Sequence, residues 1–396
     1  MEEVKKIVPL KDVCLDFIVP QRDKPKAFDG NIPWCRIEDI DGRYLNGSKS
    51  GQNVTKELAD KMNMHLCPKG TVISACSASI GNQAITTIDC YTNQTFIGLV
   101  VNPNLLYNVY LYYFLESQTN NLLKLGQGAT IKYISKDKYK RMLIPLPSLS
   151  KQQSIVDYLD SVFAKTDAIK RNAEKQLAEA RALFQSALTQ AMQPKPGWKS
   201  CKFNEIIDNL RTGLNPRTHF KLNTSDSVGY YITVRELKGF TFEVDKRTDR
   251  INKDAIKRIN ERSNLKIGDV LYSGTGTIGK TALVQELPTW WNIKEGVYAI
   301  TPKANILDSS FLIYAMHSDY FMSEVLSKTS GTTVRSIPMK MLKEIVLSIP
   351  LITEQQAIVE HLDALSNNVK ELEEICRKTA AECDALKQAL LRQIFE

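Results

Sequence analysis

The chain has 396 residues, 43% hydrophobic and 24% charged, which excludes a disordered protein. Its 52 Lys and Arg outnumber 44 Asp and Glu for a net charge of +8, and no apolar run reaches membrane-spanning length. The opening MEEVKKIVPLKDV lacks the apolar stretch of a signal peptide, so the sequence reads as cytoplasmic and the sequons at Asn46, Asn53 and Asn223 carry no weight. Eight cysteines without a C-x-x-C pair, beside only four histidines, read as structural thiols of a reducing compartment and not as metal ligands.

From the start, residues 1–147 read as a globular segment with 18 Lys and Arg against 14 Asp and Glu, net +4. Within it, LCPKGTVISACSASIG (66–81) is a strand running into a glycine turn. GATIKYIS (128–135) is a polar loop. Residues 148–194 follow as a helix, net +1. Pro147 sits just upstream, and Ser150-x-x-Gln153 predicts a capping box in which hydroxyl and amide satisfy orphan backbone donors. Its apolar spacing alternates three and four, as in a coiled coil, with a seam of Ile155, Leu159, Val162, Thr166, Ile169, Ala173, Gln176, Ala180, Leu183 and Ala187. The prolines and glycine of PKPGW (194–198) end it.

Residues 195–350 form the second globular segment, net +7, and residues 351–396 a second helix, net −4. Thr353-x-x-Gln356 predicts its capping box. Its seam reads Ile358, Leu362, Leu365, Val369, Leu372, Cys376, Thr379, Cys383, Leu386 and Leu390, with both cysteines as small fillers.

These elements are one segment written twice. At an offset of 203 residues, Pro147 matches Pro350, Gln152-Gln153 match Gln355-Gln356, and Leu159-Asp160 match Leu362-Asp363. The same offset places Thr130 on Thr333 and Lys132 on Arg335, and a shorter one places Gly70 on Gly268 and Gly81 on Gly279. The fold class that follows is α+β: two β-rich globular segments with two long helices, in a tandem repeat with pseudo-twofold character. An antiparallel helix pair of about 42 residues each would span about 60 Å and put the globular segments at opposite ends. Basic charge concentrated in paired globular segments fits a polyanion such as duplex DNA; a merely solvated basic surface is the plainer alternative.

Residues 274–281, GTGTIGKT, satisfy the phosphate-loop pattern, which makes a nucleotide hydrolase one alternative function. The reading is rejected on local grounds: the motif needs a helix at its Lys, and the following TALVQELP reads as a short strand. No Asn/Asp-Pro-Pro-aromatic, nuclease Pro-Asp, nucleophile-elbow or zinc-protease motif occurs, so the chain reads as non-catalytic. A structural coiled-coil scaffold is the remaining alternative.

GDVLYSGTGTIGK, the paired loops GTTVRSI and GATIKYI, and the helix starts PxxxEQQxIVxxLD and PxxxKQQxIVxxLD resemble the specificity (S) subunit of type I restriction–modification enzymes over essentially the whole chain. The first half has no counterpart of Pro196-Gly197-Trp198. The resemblance implies two target-recognition domains, each reading one part of a split DNA target with a nonspecific spacer. It also implies helices that set the gap and bind two methyltransferase (M) subunits, with motor–restriction (R) subunits joining them. Cofactors would sit in the partners, S-adenosylmethionine in M and ATP with Mg in R, and none in this chain.

DNA contacts are then expected from turn residues. In the first half these are Ser79, Asn82, Gln83, Gln127, Thr130, Lys132 and Tyr133. In the second they are Thr275, Thr277, Lys280, Thr332, Thr333, Arg335 and Ser336. For each, a solvated turn or a strand-packing side chain is the alternative. Arg36, Arg217, His219 and Arg235 are further candidates. Trp290-Trp291 read as core packing before base stacking.

Overall fold

The computed structural model describes residues 6–20, 23–126, 133–331 and 335–396. Two compact units divide it: Met1–Glu174 with Cys376–Glu396, and Lys175–Ile375. Each unit thus joins one globular segment to stretches of both long helices.

The first unit is built on a sheet in the order Cys14–Ile18, Phe96–Val101, Val72–Ala75, Gln83–Thr86, continued by Tyr44–Leu45 and Ile40–Asp41. Val72–Ala75 and Gln83–Thr86 are buried along their whole length, as strands covered on both faces must be. The turn between them passes through Gly81 at φ +102°, where a Cβ would also stand 2.6 Å from the Thr119 methyl. A second sheet pairs Ile32–Cys35 antiparallel to Asn53–Val54 and parallel to Tyr91–Thr92. Ile7–Pro9 pairs with Leu143–Pro145. The helix Asn108–Ser117 buries Tyr110, Leu111, Tyr113, Phe114 and Leu115 against the main sheet and against Leu391 and Phe395 of the C-terminal helix.

The second unit repeats this plan without counterparts of the strands Tyr44–Leu45 and Ile40–Asp41. Ile207–Thr212, Val297–Pro302, Val270–Ser273 and Thr281–Leu283 form a sheet in the same order. Gly229–Ile232 pairs antiparallel to Arg250–Ile251 and parallel to Trp291–Ile293. Lys199–Lys202 pairs with Val346–Ile349, the place that Ile7–Pro9 and Leu143–Pro145 take in the first unit. The α+β tandem repeat read from the sequence is therefore the architecture.

The long helices span Leu149–Ala191 and Ile352–Phe395, 43 and 44 residues, each about 65 Å at 1.5 Å per residue. In the first unit they run antiparallel, Lys170 meeting Asp384 at 2.8 Å and Lys387 meeting Asp167 at 2.6 Å. In the second, Arg181 donates to Glu373.

Two details of the helices differ from expectation. The first helical hydrogen bonds run from the Gln152 amide to the Ser148 carbonyl and from the Gln355 amide to the Leu351 carbonyl. Ser150 and Thr353 consequently stand in the first turn, not at the cap, and the predicted capping boxes do not form. The seam also shifts in phase. Leu159, Thr166, Leu362, Cys376 and Cys383 are buried as expected, and Ile155, Val162, Ile358, Leu365, Val369, Leu372 and Leu390 are half-buried. Ile169, Leu183 and Leu386 instead face solvent at 51%, 66% and 46% exposure. The alternate seam position falls one residue later, on Phe163, Leu177 and Phe184, because each helix packs on its globular segment as well as on its partner helix. Among the described residues, no helix is long and apolar enough to cross a membrane.

Candidate nucleic-acid interface

Each helix is locked to its own globular segment by one glutamine. Gln152, fully buried, accepts from the Tyr107 amide at 2.8 Å and donates to the carbonyls of Leu105 and Pro147, both at 2.9 Å. Gln355 does the same with the Asp308 amide at 2.8 Å and the carbonyls of Ile306 and Pro350 at 2.8 and 2.9 Å. About two turns on, Asp160 accepts from Tyr113 and Arg43, and Asp363 accepts from Tyr314 at 2.5 Å. These side chains fix each helix start against the sheet that carries the outer turns.

The outer turns of each unit come together in the same way. In the second unit Thr275 bridges Ser336, the Gly276 amide donates to the Arg335 carbonyl at 2.9 Å, and the Ile337 amide donates to the Gly274 carbonyl at 2.9 Å. In the first, Ser77 bridges Tyr133 and the Ile134 amide donates to the Cys76 carbonyl at 2.8 Å. Tyr133, Asn82, Thr275, Thr277 and Arg335 are exposed, and Ser79, Lys280 and Ser336 half-exposed. Gln83 is a correction: it opens a buried strand and is 6% exposed. With its nitrogen toward the Gly81 carbonyl at 2.7 Å and its oxygen toward the Glu116 amide at 3.1 Å, its amide is used within the fold. Gln127, Thr130, Lys132, Thr332 and Thr333 lie outside the described residues.

The phosphate-loop lookalike is a strand–turn–strand. Val270–Ser273 leads through the turn to Thr281–Leu283, the Ser273 hydroxyl accepts from the Lys280 amide at 2.8 Å, and no helix starts at Lys280. The geometry a bound phosphate needs, a helix amino end behind the loop, is missing at this site.

The second unit opens a cleft of about 820 Å³ beside the Thr275 turn, lined among others by Asn215, Arg217, Arg262, Lys294 and Glu295. Tyr298 forms part of its floor; burial pushes its hydroxyl above the ordinary tyrosine value, and it donates to the Ile337 carbonyl at 2.7 Å. Arg217 is exposed in the cleft with no side-chain partner among the described residues. His219 is exposed next to it. Arg36 and Arg235 are engaged with neighbouring carboxylates, Glu38 at 2.9 Å and Glu236 at 2.7 Å. Trp291 is fully buried on Phe242, ring centroids 4.6 Å apart, in keeping with core packing.

One pair of corners lay beyond the sequence reading. Asn93-Gln94 and Lys294-Glu295 each join the short parallel strand to the main sheet next to the Ser77 or Thr275 turn. Nothing in their local sequence matches, so only the backbone pairing reveals them as equivalent.

Comparison with known proteins agrees with this architecture. The family described as "Type I restriction modification DNA specificity domain" matches residues 1–179 and 196–381. The Type I restriction enzyme MjaIX specificity subunit of Methanocaldococcus jannaschii is 22% identical, over 93% of this chain and 89% of its own. The EcoKI specificity subunit of Escherichia coli K12 is 24% identical, over 86% and 77%. A chain solved in work on complex assembly and conformational transition of the type I R-M system superposes with a TM-score of 0.74 at 21% identity, covering 98% of this chain and 96% of its own. The HsdS subunit from Thermoanaerobacter tengcongensis superposes at 0.59 and 20% identity, with the same coverage. With both repeats matched, this chain belongs to the family of type I restriction–modification DNA specificity subunits.

Proposed function

We propose that the chain is the DNA-reading subunit of a type I restriction–modification enzyme, each unit contacting one part of a split, asymmetric duplex target. The observation that carries this reading is a frame used twice with different outward-facing turns. Family membership supports the same reading, as does the basic excess of the globular segments, +4 and +7. On this proposal the long helices set the nonspecific gap and carry two methyltransferase subunits, which use S-adenosylmethionine, while restriction subunits with ATP and Mg complete the enzyme. This chain contributes recognition and performs no chemical step.

The test is to assemble the chain with its methyltransferase subunits on unmethylated DNA and map the modified bases. Two fixed blocks separated by a gap of constant length are expected, with binding that weakens steeply as salt rises. A contiguous target, or none, overturns the proposal. Inserting four residues into the first long helix lengthens it by about 6 Å, which should widen the gap by about two base pairs and leave both blocks unchanged.

A further inference from the structure

In both units a two-residue corner is held by the same backbone hydrogen bonds. The Asn93 amide donates to the Cys35 carbonyl at 3.0 Å, and the Lys294 amide to the Ile232 carbonyl at 2.8 Å. Two residues on, the Thr95 carbonyl accepts from Cys76 at 2.8 Å and the Gly296 carbonyl from Gly274 at 2.9 Å. Each corner therefore abuts the outer turn. A Cβ added to Gly296 would touch Thr275 at 3.0 Å.

On this shared frame the side chains diverge in chemistry. Gln94 is exposed and its amide has no partner among the described residues; Asn93 is turned inward, accepting from the Thr95 hydroxyl at 2.6 Å. Lys294 is exposed and unpartnered among the described residues, on the wall of the 820 Å³ cleft, and Glu295 beside it reaches Arg262 only at 3.7 Å. A phosphate contact is a demand common to both units, and a common demand is met by one residue type; a neutral amide in one unit and a Lys-Glu pair in the other do not meet it. The cleft also mixes signs, Asp249 and Glu295 among Arg217, Arg262 and Lys294. Carboxylates repel a phosphate but accept hydrogen bonds from the cytosine amino group, while an amide pairs with adenine and a lysine with guanine.

We propose that Gln94 and Lys294 are specificity-determining residues, each touching base edges of the part of the target read by its own unit. This rests on the reading of the chain as a DNA specificity subunit. The experiment uses the full chain assembled with its methyltransferase subunits, a plasmid library of randomised duplex sequence, and the variants Gln94→Ala, Lys294→Ala and Lys294→Arg. Gln94→Ala should relax base choice in one block, and Lys294→Ala in the other, with discrimination at the affected position falling roughly 10- to 100-fold. Lys294→Arg should recover much of it.

Uniform weakening across all sequences, with the salt slope reduced by about one, would make these residues phosphate contacts and overturn the proposal. Unchanged preference in both blocks overturns it too, and in either case the split target of the unmodified chain leaves the subunit's role standing. If the unmodified chain directs methylation to no split sequence, the role itself fails and the proposal with it.

Discussion

Asp160 and Asp363 occupy the same place in the two repeats, yet their surroundings differ. Asp160 accepts from Tyr113 and from Arg43, whose guanidinium lies 4.8 Å over the Tyr113 ring. Asp363 accepts from Tyr314 and from no other side chain among the described residues, and Phe240 packs on that ring at 5.0 Å where the first unit has its arginine. The glutamine locks, by contrast, are the same in both units down to each partner type. The units hold the helix start identically, then tolerate drift about two turns further along, and diverge freely at the outer corners. That gradient separates what the frame requires from what a target can choose.

The largest effects are expected at the glutamines. Gln152→Ala and Gln355→Ala each strand one buried amide and two carbonyls, so each should cost about 3 kcal/mol. Urea unfolding should show similar losses for the two variants, and a difference larger than the losses themselves would deny the equivalence. A smaller effect is expected at the helix seam. Phe184→Ala should cost about 2 kcal/mol while its exposed neighbour Leu183→Ala stays within about 0.5 kcal/mol. The reverse order in thermal melts would restore the unshifted register.

The smallest effect concerns the aspartates, where Asp160→Asn should cost about 1 kcal/mol more than Asp363→Asn because it loses the Arg43 ion pair, a margin kept small by screening at the partly exposed Asp160. Burial alone would raise the Asp160 carboxyl, but hydrogen bonds from Arg43 and Tyr113 outweigh it and hold the value below the usual 3.8. A carboxyl depressed in the folded state gives stability that is complete above its unfolded value and lost as pH falls through the folded one. The margin of the unmodified chain over Asp160→Asn should therefore be full above about pH 4 and shrink below it. A margin that grows on acidification would contradict the assignment.

Much of this was legible in the residues. The repeat and the strand after Lys280 follow from the aligned segments and from the strand-like run after the turn, whereas the pairing of Ser77 with Tyr133 and of Thr275 with Ser336 joins residues far apart in sequence that no local pattern links. The seam phase was not legible, since Ile169 and Leu183 are as apolar as Phe163 and Phe184 and a three-four spacing accepts either. Gln152-Gln153 was visible as a repeated pair, but which member turns inward depends on where the helix begins. The corners at Asn93-Gln94 and Lys294-Glu295 left no trace because a residue that reads a target varies with the target, and only backbone pairing marks its position.

On the proposed function, one frame, written twice, carries two independent readers. Exchanging residues 195–350 for the corresponding segment of a relative with a different target, then mapping methylation, tests it directly. One block of the target should change while the other block stays as it was. Alteration of both blocks together, or of neither, would contradict it.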